Sequence, residues 1–359
     1  MKTEYKRYLQ YIPGVRFWII ATGMIIVLAA MKQASYFINI FLLSLFLNII
    51  SIGPLEWMKK KGLREYLAIS VLIASFLIIV SLTLLIIGSS VNNFISKMPV
   101  YTEKFNELWA ITHHWLVQQG IVDKDFKPLK ELNPGNILPV AGNFFAGFGN
   151  VMGTFFLVFI IYIFMLFETS IFAKKMKILF PGSKSDMENL IKNLVKYFGI
   201  KTLTSLATGI SISIGLLILG VDFPILWGFL AFILNFIPSV GSFIAAIPAV
   251  LIALLLNGPL NALITIAMYF VLNTLIGNII EPPLMGKNLG ISPLFVFIAM
   301  IFWGYILGPV GMLIATPLVI IIKMALDSRP VTENIGAFLG NEAALDDFVN
   351  IRKDRNSKV

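Results

Sequence analysis

The sequence has no cysteine and only two histidines, the neighbours His113 and His114. Without thiols there are no disulfides, no Cys-based metal sites and no cysteine nucleophile. Adjacent helical positions point about 100° apart, so the His pair makes no chelate, and neither a metal nor a cofactor is expected. Gly-x-Ser-x-Gly elbows, His-Glu-x-x-His pairs and Walker loops are also missing, which leaves no template for an enzyme or an ATP-driven pump. Charge is scarce: 13% of residues are Asp, Glu, Lys or Arg, against 58% hydrophobic, and mean hydropathy is +0.87. Such a composition predicts an all-α polytopic membrane protein, because helices satisfy their own backbone groups in lipid. The net charge of +9 belongs to cytoplasmic loops on this reading, so the lipid bilayer is a partner and nucleic acid is not. The first apolar run lacks a small-residue cleavage site and reads as a retained span.

Apolar runs of spanning length lie at about 17–31, 37–53, 66–87, 150–167, 203–220, 226–256, 262–280 and 293–323, giving eight hydrophobic elements. Basic clusters set the orientation. Lys2, Lys6, Arg7 and Arg16 precede the first element, and Lys59, Lys60, Lys61 and Arg64 follow the second. Lys174, Lys175, Lys177, Lys184, Lys192, Lys196 and Lys201, opposed by Asp186 and Glu188, mark a third basic loop. These predict cytoplasmic N- and C-termini. Between residues 89 and 149 the Lys and acidic residues balance, as expected outside. There Phe94, Met98, Tyr101, Phe105, Leu108 and Trp115 recur in steps of four and three, predicting an amphipathic helix that packs on its own chain or on a second copy in a homo-oligomer. The expected organisation is 1–88 as an N-terminal hairpin and third span, 89–149 as an external helical segment, 150–326 as a transport core, and 327–359 as a cytoplasmic tail.

Two of the long runs carry the same punctuation. Pro238, Gly241, Ala245 and Pro248 in one are echoed by Pro309, Gly311, Ala315 and Pro317 in the other, with Gly308 just before. Pro removes a backbone donor and Gly loosens a helix, so both runs are expected to break, either as kinked spans or as re-entrant hairpins. Broken helices in corresponding places point to a transport site. Uncharged polar residues gather nearby: Asn235 before the first break, and Asn273 and Asn278 before the double proline Pro282-Pro283. Thr204, Thr208, Ser211 and Gly215 form one small, hydroxyl-bearing helix face, suited to close packing or to lining a pathway. Glu281 is the carboxylate best placed to matter, in a turn that Pro282 and Pro283 are expected to unwind. Asp222 and Glu168 read as interfacial carboxylates facing water.

Phe236-Ile237-Pro238-Ser239-Val240-Gly241 through Ala249, Gly277-Asn278-Ile279-Ile280-Glu281-Pro282-Pro283-Leu284-Met285-Gly286 through Pro293, and the run from Ile301 to Leu318 resemble the signature of the autoinducer-2 exporter family of bacterial membrane proteins. The last run is most similar to the branch containing the quorum-signal transport protein. The pattern departs from the family at Ile276, where relatives often carry an acidic residue, and at Asn273, where Gln is frequent.

The resemblance implies an inner-membrane secondary transporter, exporting a small polar signal of the autoinducer-2 type in quorum sensing or, as in other members, exchanging sodium or lithium for protons. Hydroxyl and amide groups suit a neutral polyol, whereas cation exchange needs a titrating carboxylate, for which Glu281 is the candidate. A non-transporting membrane scaffold is a third reading, disfavoured because a scaffold gains nothing from broken helices in lipid.

Overall fold

The computed structural model describes residues 13–121, 154–169, 171–172, 175, 178, 184–238, 240–285, 290–329, 331–342, 344–346 and 348–349. Among them there is helix and no strand, apart from one isolated bridge between Ile291 and Gly340. The chain is an all-α multi-pass membrane protein. Among the described residues five helices are, by length and composition, long and apolar enough to cross a membrane: Ser35–Lys60, Glu65–Gln118, Glu188–Ile218, Pro259–Met285 and Pro309–Asp327.

In chain order, α1 is Pro13–Gln33, α2 Ser35–Lys60 and α3 Glu65–Gln118. Then come α4, Thr154–Thr169, and α5, Lys184–Ile218. Two short helices follow, α6 (Pro224–Leu234) and α7 (Gly241–Asn257). Next, α8 (Pro259–Asn273) runs through a π-helical turn, Thr274–Ile280, into α9 (Glu281–Met285). Last are α10 (Pro293–Leu307), α11 (Pro309–Asp327) and α12 (Glu333–Phe338). Pro224, Pro259, Pro293 and Pro309 each open a helix, where the missing N–H has no intrahelical partner to lose.

Both long runs that carry the Pro/Gly punctuation resolve as helical hairpins. At 11 residues, α6 is only about 16 Å long, far short of a bilayer core. After the turn that begins at Asn235, α7 comes back alongside it. Asn257 at the end of α7 donates from Nδ2 to the Gly220 carbonyl just before α6, at 3.4 Å. Both ends of this first hairpin therefore lie at one level, beside the C-terminal end of α5. The second hairpin, α10–α11, turns at Gly308, whose φ of 68° suits a residue without Cβ. Its ends lie at the opposite level. The Ser292 amide before α10 donates to Leu339 after α12 at 3.0 Å, and the Asn341 amide to Gly290 at 3.2 Å. Ile291 and Met324 pack there with Leu194 in the N-terminal half of α5. The hairpins thus enter from opposite ends of α5. Residues 333–341, placed in the tail by sequence, are docked back onto the start of the second hairpin.

The N-terminal helices buttress this core. Ser44 Oγ of α2 donates to the Val158 carbonyl of α4 at 2.9 Å, Ser51 Oγ meets Tyr162 Oη at 2.7 Å, and Phe46 packs edge-on against Phe198 of α5. On α1 the apolar side chains from Phe17 to Ile20 are exposed, as lipid-facing positions must be.

The third span and the amphipathic segment form one uninterrupted helix. With 54 residues, α3 extends about 80 Å, well beyond any bilayer. Phe94, Met98 and Tyr101 pack against α6 through Phe223 and Trp227. Farther out, Trp115 is exposed. The remainder of the external segment, 122–149, lies outside the described residues, as do residues 150–153 of the fourth run and much of the third basic loop.

Candidate functional site

The two glycines of the repeated punctuation do the same thing in each hairpin. A Cβ on Gly241 would collide with the Leu234 carbonyl oxygen at the end of α6, and one on Gly311 with the Trp303 carbonyl of α10. Both positions therefore depend on backbone-to-backbone approach that only glycine permits. Four residues on, Ala245 and Ala315 are each 0% exposed. Pro248 and Pro317 sit inside α7 and α11. At the tip of the first hairpin Ile237 and Val240 pack on Met300, Met312 and Ala315 of the second, so the two interruptions touch.

On its other side that tip carries a polar chain. Asn235 Nδ2 donates to Ser205 Oγ on α5 at 3.0 Å, and Ser242 Oγ at the start of α7 lies 3.3 Å from Asn235 Oδ1 and 2.9 Å from Asn273 Oδ1 at the end of α8. Asn235, Ser205 and Ser242 are buried. Four helices thus bring uncharged donors and acceptors together within the bundle, where each hydrogen bond is stronger than in water. These groups present hydroxyl and amide chemistry without net charge.

Farther along the same face of α5 stands a buried ion pair. Lys201 Nζ donates to both oxygens of Glu281, at 2.9 and 3.0 Å, and Thr204 Oγ1 donates to Oε2 at 3.0 Å. The two charged side chains are 9% and 11% exposed. Glu281 stands at the junction of the π-turn and α9, its own amide reaching the Ile276 carbonyl. The expectation of an unwound turn is corrected: the backbone runs helical from the π-turn through Glu281, Pro282 and Pro283, since the φ that a proline ring fixes is compatible with a helix. A π-turn widens the helix and is frequent at functional sites.

Lys201 is a second correction. Its place in the basic loop is overturned, since α5 begins at Lys184 and buries Lys201 opposite Glu281. The signal for this was present in the stripe of Thr204, Thr208, Ser211 and Gly215, which extended back by three residues reaches Lys201. That stripe packs against α8 and α9: Thr204 touches Glu281, Thr208 is buried, Ser211 is half-buried, and Gly215 faces Met268. Ser205 and Ser242, which complete the polar chain, carry no periodic signal. Other candidates fall elsewhere. Asn278 and Pro283 are exposed. Pro317 lines an apolar groove with Leu42, Phe46, Leu194 and Phe198. Among the described residues no group of three or more His, Asp or Glu side chains gathers as a metal site.

At the other end of α5, Asp222 ties the turn before α6 to the extension of α3. Its Oδ2 accepts from Lys97 Nζ and from Tyr101 Oη, each at 2.8 Å, while Trp227 Nε1 donates to the Asp222 carbonyl at 2.9 Å. Burial, and then the Asp222 carboxylate, raise the Tyr101 phenol above its ordinary value, because both disfavour the phenolate. The neighbouring Phe223 has φ 59°, an uncommon conformation for a bulky residue, held by packing on Phe94. Glu168 is exposed and pairs with Lys175 at 2.6 Å.

Known proteins resemble this chain over nearly its whole length. The family model described as AI-2E family transporter matches residues 19–330. The AI-2 transport protein TqsA of Escherichia coli (strain K12) is 32% identical over 333 residues, covering 91% of this chain and 96% of its own. A putative transport protein of Haemophilus influenzae is 32% identical over 330 residues, covering 89% and 94%. With its broken hairpins, its helical membrane core and this likeness, the chain belongs to the AI-2E family of transporters.

Proposed function

We propose that this transporter exports a small, uncharged, polar solute of the autoinducer-2 class across the bacterial inner membrane. The carrying observation is the buried chain of Ser205, Asn235, Ser242 and Asn273 at the tip of the first hairpin. Hydroxyls and amides without net charge match a furanosyl polyol, and the relative TqsA bears the name of an AI-2 transport protein. Asn235, Pro238, Gly241 and Pro248 on the first hairpin, Asn273 on α8 and Thr204, Thr208 and Ser211 on α5 would border the path. Gly308, Gly311 and Pro317 shape the second hairpin that seats it. Opposed hairpins meeting inside the bundle support alternating access, since moving one against the other opens the path to one end at a time. Both termini lie in the cytoplasm on this reading, and the chain works as a homo-oligomer.

Solute uptake by inverted vesicles, with and without imposed sodium and proton gradients, tests the proposal. Uptake of the signal, lost in Asn235→Ala, is the expected result. Sodium–proton exchange without movement of any polyol would instead support the antiporter reading, which the buried carboxylate of Glu281 keeps in view. No transport of either kind would favour the scaffold.

A further inference from the structure

We infer that Lys201 is a built-in cation whose ammonium fills the place a sodium or lithium ion would take against Glu281. Lys201 Nζ engages both carboxylate oxygens, at 2.9 and 3.0 Å, and Thr204 Oγ1 adds a third donor at 3.0 Å. The pair is neutral as a unit. A metal cation binding beside it would leave a net charge in a poorly solvated place, and it would also have to displace three donors. With the ammonium set aside, the oxygens shown at this place are the Glu281 carboxylate and the Thr204 hydroxyl. The carboxylate that an alkali cation would need is thus already met by a cation carried covalently on α5.

The consequence for transport rests on the exporter reading: a carrier with a tethered cation needs no sodium gradient. The geometry itself does not depend on that reading, so the two are tested separately. The full-length protein, purified in detergent, is heated in sodium, lithium or choline chloride at equal ionic strength, and unfolding is followed through its six tryptophans. The wild type is expected to unfold at the same temperature in all three salts. Lys201→Ala is expected to unfold at lower temperature in choline and to recover saturably with sodium or lithium, which then occupy the vacated place. A saturable sodium-specific rise in the wild type would overturn the inference, as would a Lys201→Ala midpoint indifferent to the cation. If that variant is lost on extraction, extraction in sodium against choline gives the same reading: monodisperse protein in sodium alone supports the tethered cation, and equal loss in both refutes it. Vesicles of the wild type that move no polyol would sink the exporter reading alone.

Discussion

Gly241 and Gly311 show how much a single missing Cβ decides in this molecule. Each lies against a carbonyl of the helix it folds back on, and backbone cannot yield as a flexible side chain can. Gly241→Leu and Gly311→Leu are expected to abolish transport while the protein still reaches the membrane, checked by vesicle uptake alongside quantitative blotting; normal uptake would reduce both breaks to ordinary kinks. Asn235 is the hub of the polar chain, donating to Ser205 and accepting from Ser242. Asn235→Ala takes from the buried Ser205 its partner and leaves Ser242 with Asn273 alone, and should cost about 1–3 kcal/mol of stability, measurable by thermal unfolding. The ion pair allows a sharper test. Glu281→Gln leaves the Lys201 ammonium buried without its counter-charge, at a cost of about 3–5 kcal/mol, whereas Lys201→Met combined with Glu281→Gln removes both charges and should restore most of that loss. A double variant no more stable than Glu281→Gln would mean that the pair is not a coupled unit.

At the scale of elements, α3 is the unexpected object. Its apolar and amphipathic halves read as a span and a separate external helix, yet no Gly interrupts the junction strongly enough to end it: Gly88 and Pro99 are both accommodated within 54 helical residues. A lone Pro in a long helix bends it and removes one hydrogen bond without requiring a stop. The extension is fixed to the bundle where Tyr101 and Lys97 meet Asp222. Because burial and the Asp222 carboxylate raise the Tyr101 phenol above its ordinary value of 10.0 in the folded protein, the neutral form is favoured on folding. The contribution is fully present below that unfolded value and is lost as pH rises past it, since only the unfolded chain then releases the proton. Unfolding midpoints followed from about pH 8 to about pH 11 should therefore fall more steeply in the wild type than in Tyr101→Phe. Parallel curves would show that this contact does not hold the extension.

At the scale of the whole molecule, the hairpins enter from opposite ends of α5 and their tips meet at Ile237, Val240, Met300 and Ala315. This opposed arrangement requires α3 to carry the chain from one side of the membrane to the other. Lys61, at the turn before α3, and Gln118, at its end, must then be labelled from opposite sides. Single cysteines introduced at these positions into the cysteine-free chain, treated in intact cells with an impermeant thiol reagent, should react at 118 and not at 61. The reverse pattern would invert the orientation drawn from the basic clusters, and labelling at both would break the opposed arrangement.

Continuous apolar runs determined that this chain lives in a membrane as helices, because such a run satisfies its polar backbone within itself only as a helix, whereas the strands of a membrane barrel alternate apolar and polar residues. Local chemistry determined where the hairpins turn, since Pro and Gly act on the residues beside them: Pro309 opens α11 and Gly308 makes the turn before it. Asn235, Asn273, Thr204 and Glu281 were legible as candidates for the same reason, each lying near an interruption or on a regular polar face. Partnership was not legible. Lys201 and Glu281 are 80 positions apart, and Lys201 belongs by its neighbours to a basic loop; only the packing of α5 on the π-turn makes it an internal counter-ion. Ser205 and Ser242 join Asn235 and Asn273 only because a hairpin folds into the bundle. Even the choice between kinked spans and re-entrant hairpins was tertiary, because a broken helix of given length satisfies its backbone either way, and what selects the hairpin is the carbonyl that Gly241 or Gly311 finds on the helix beside it.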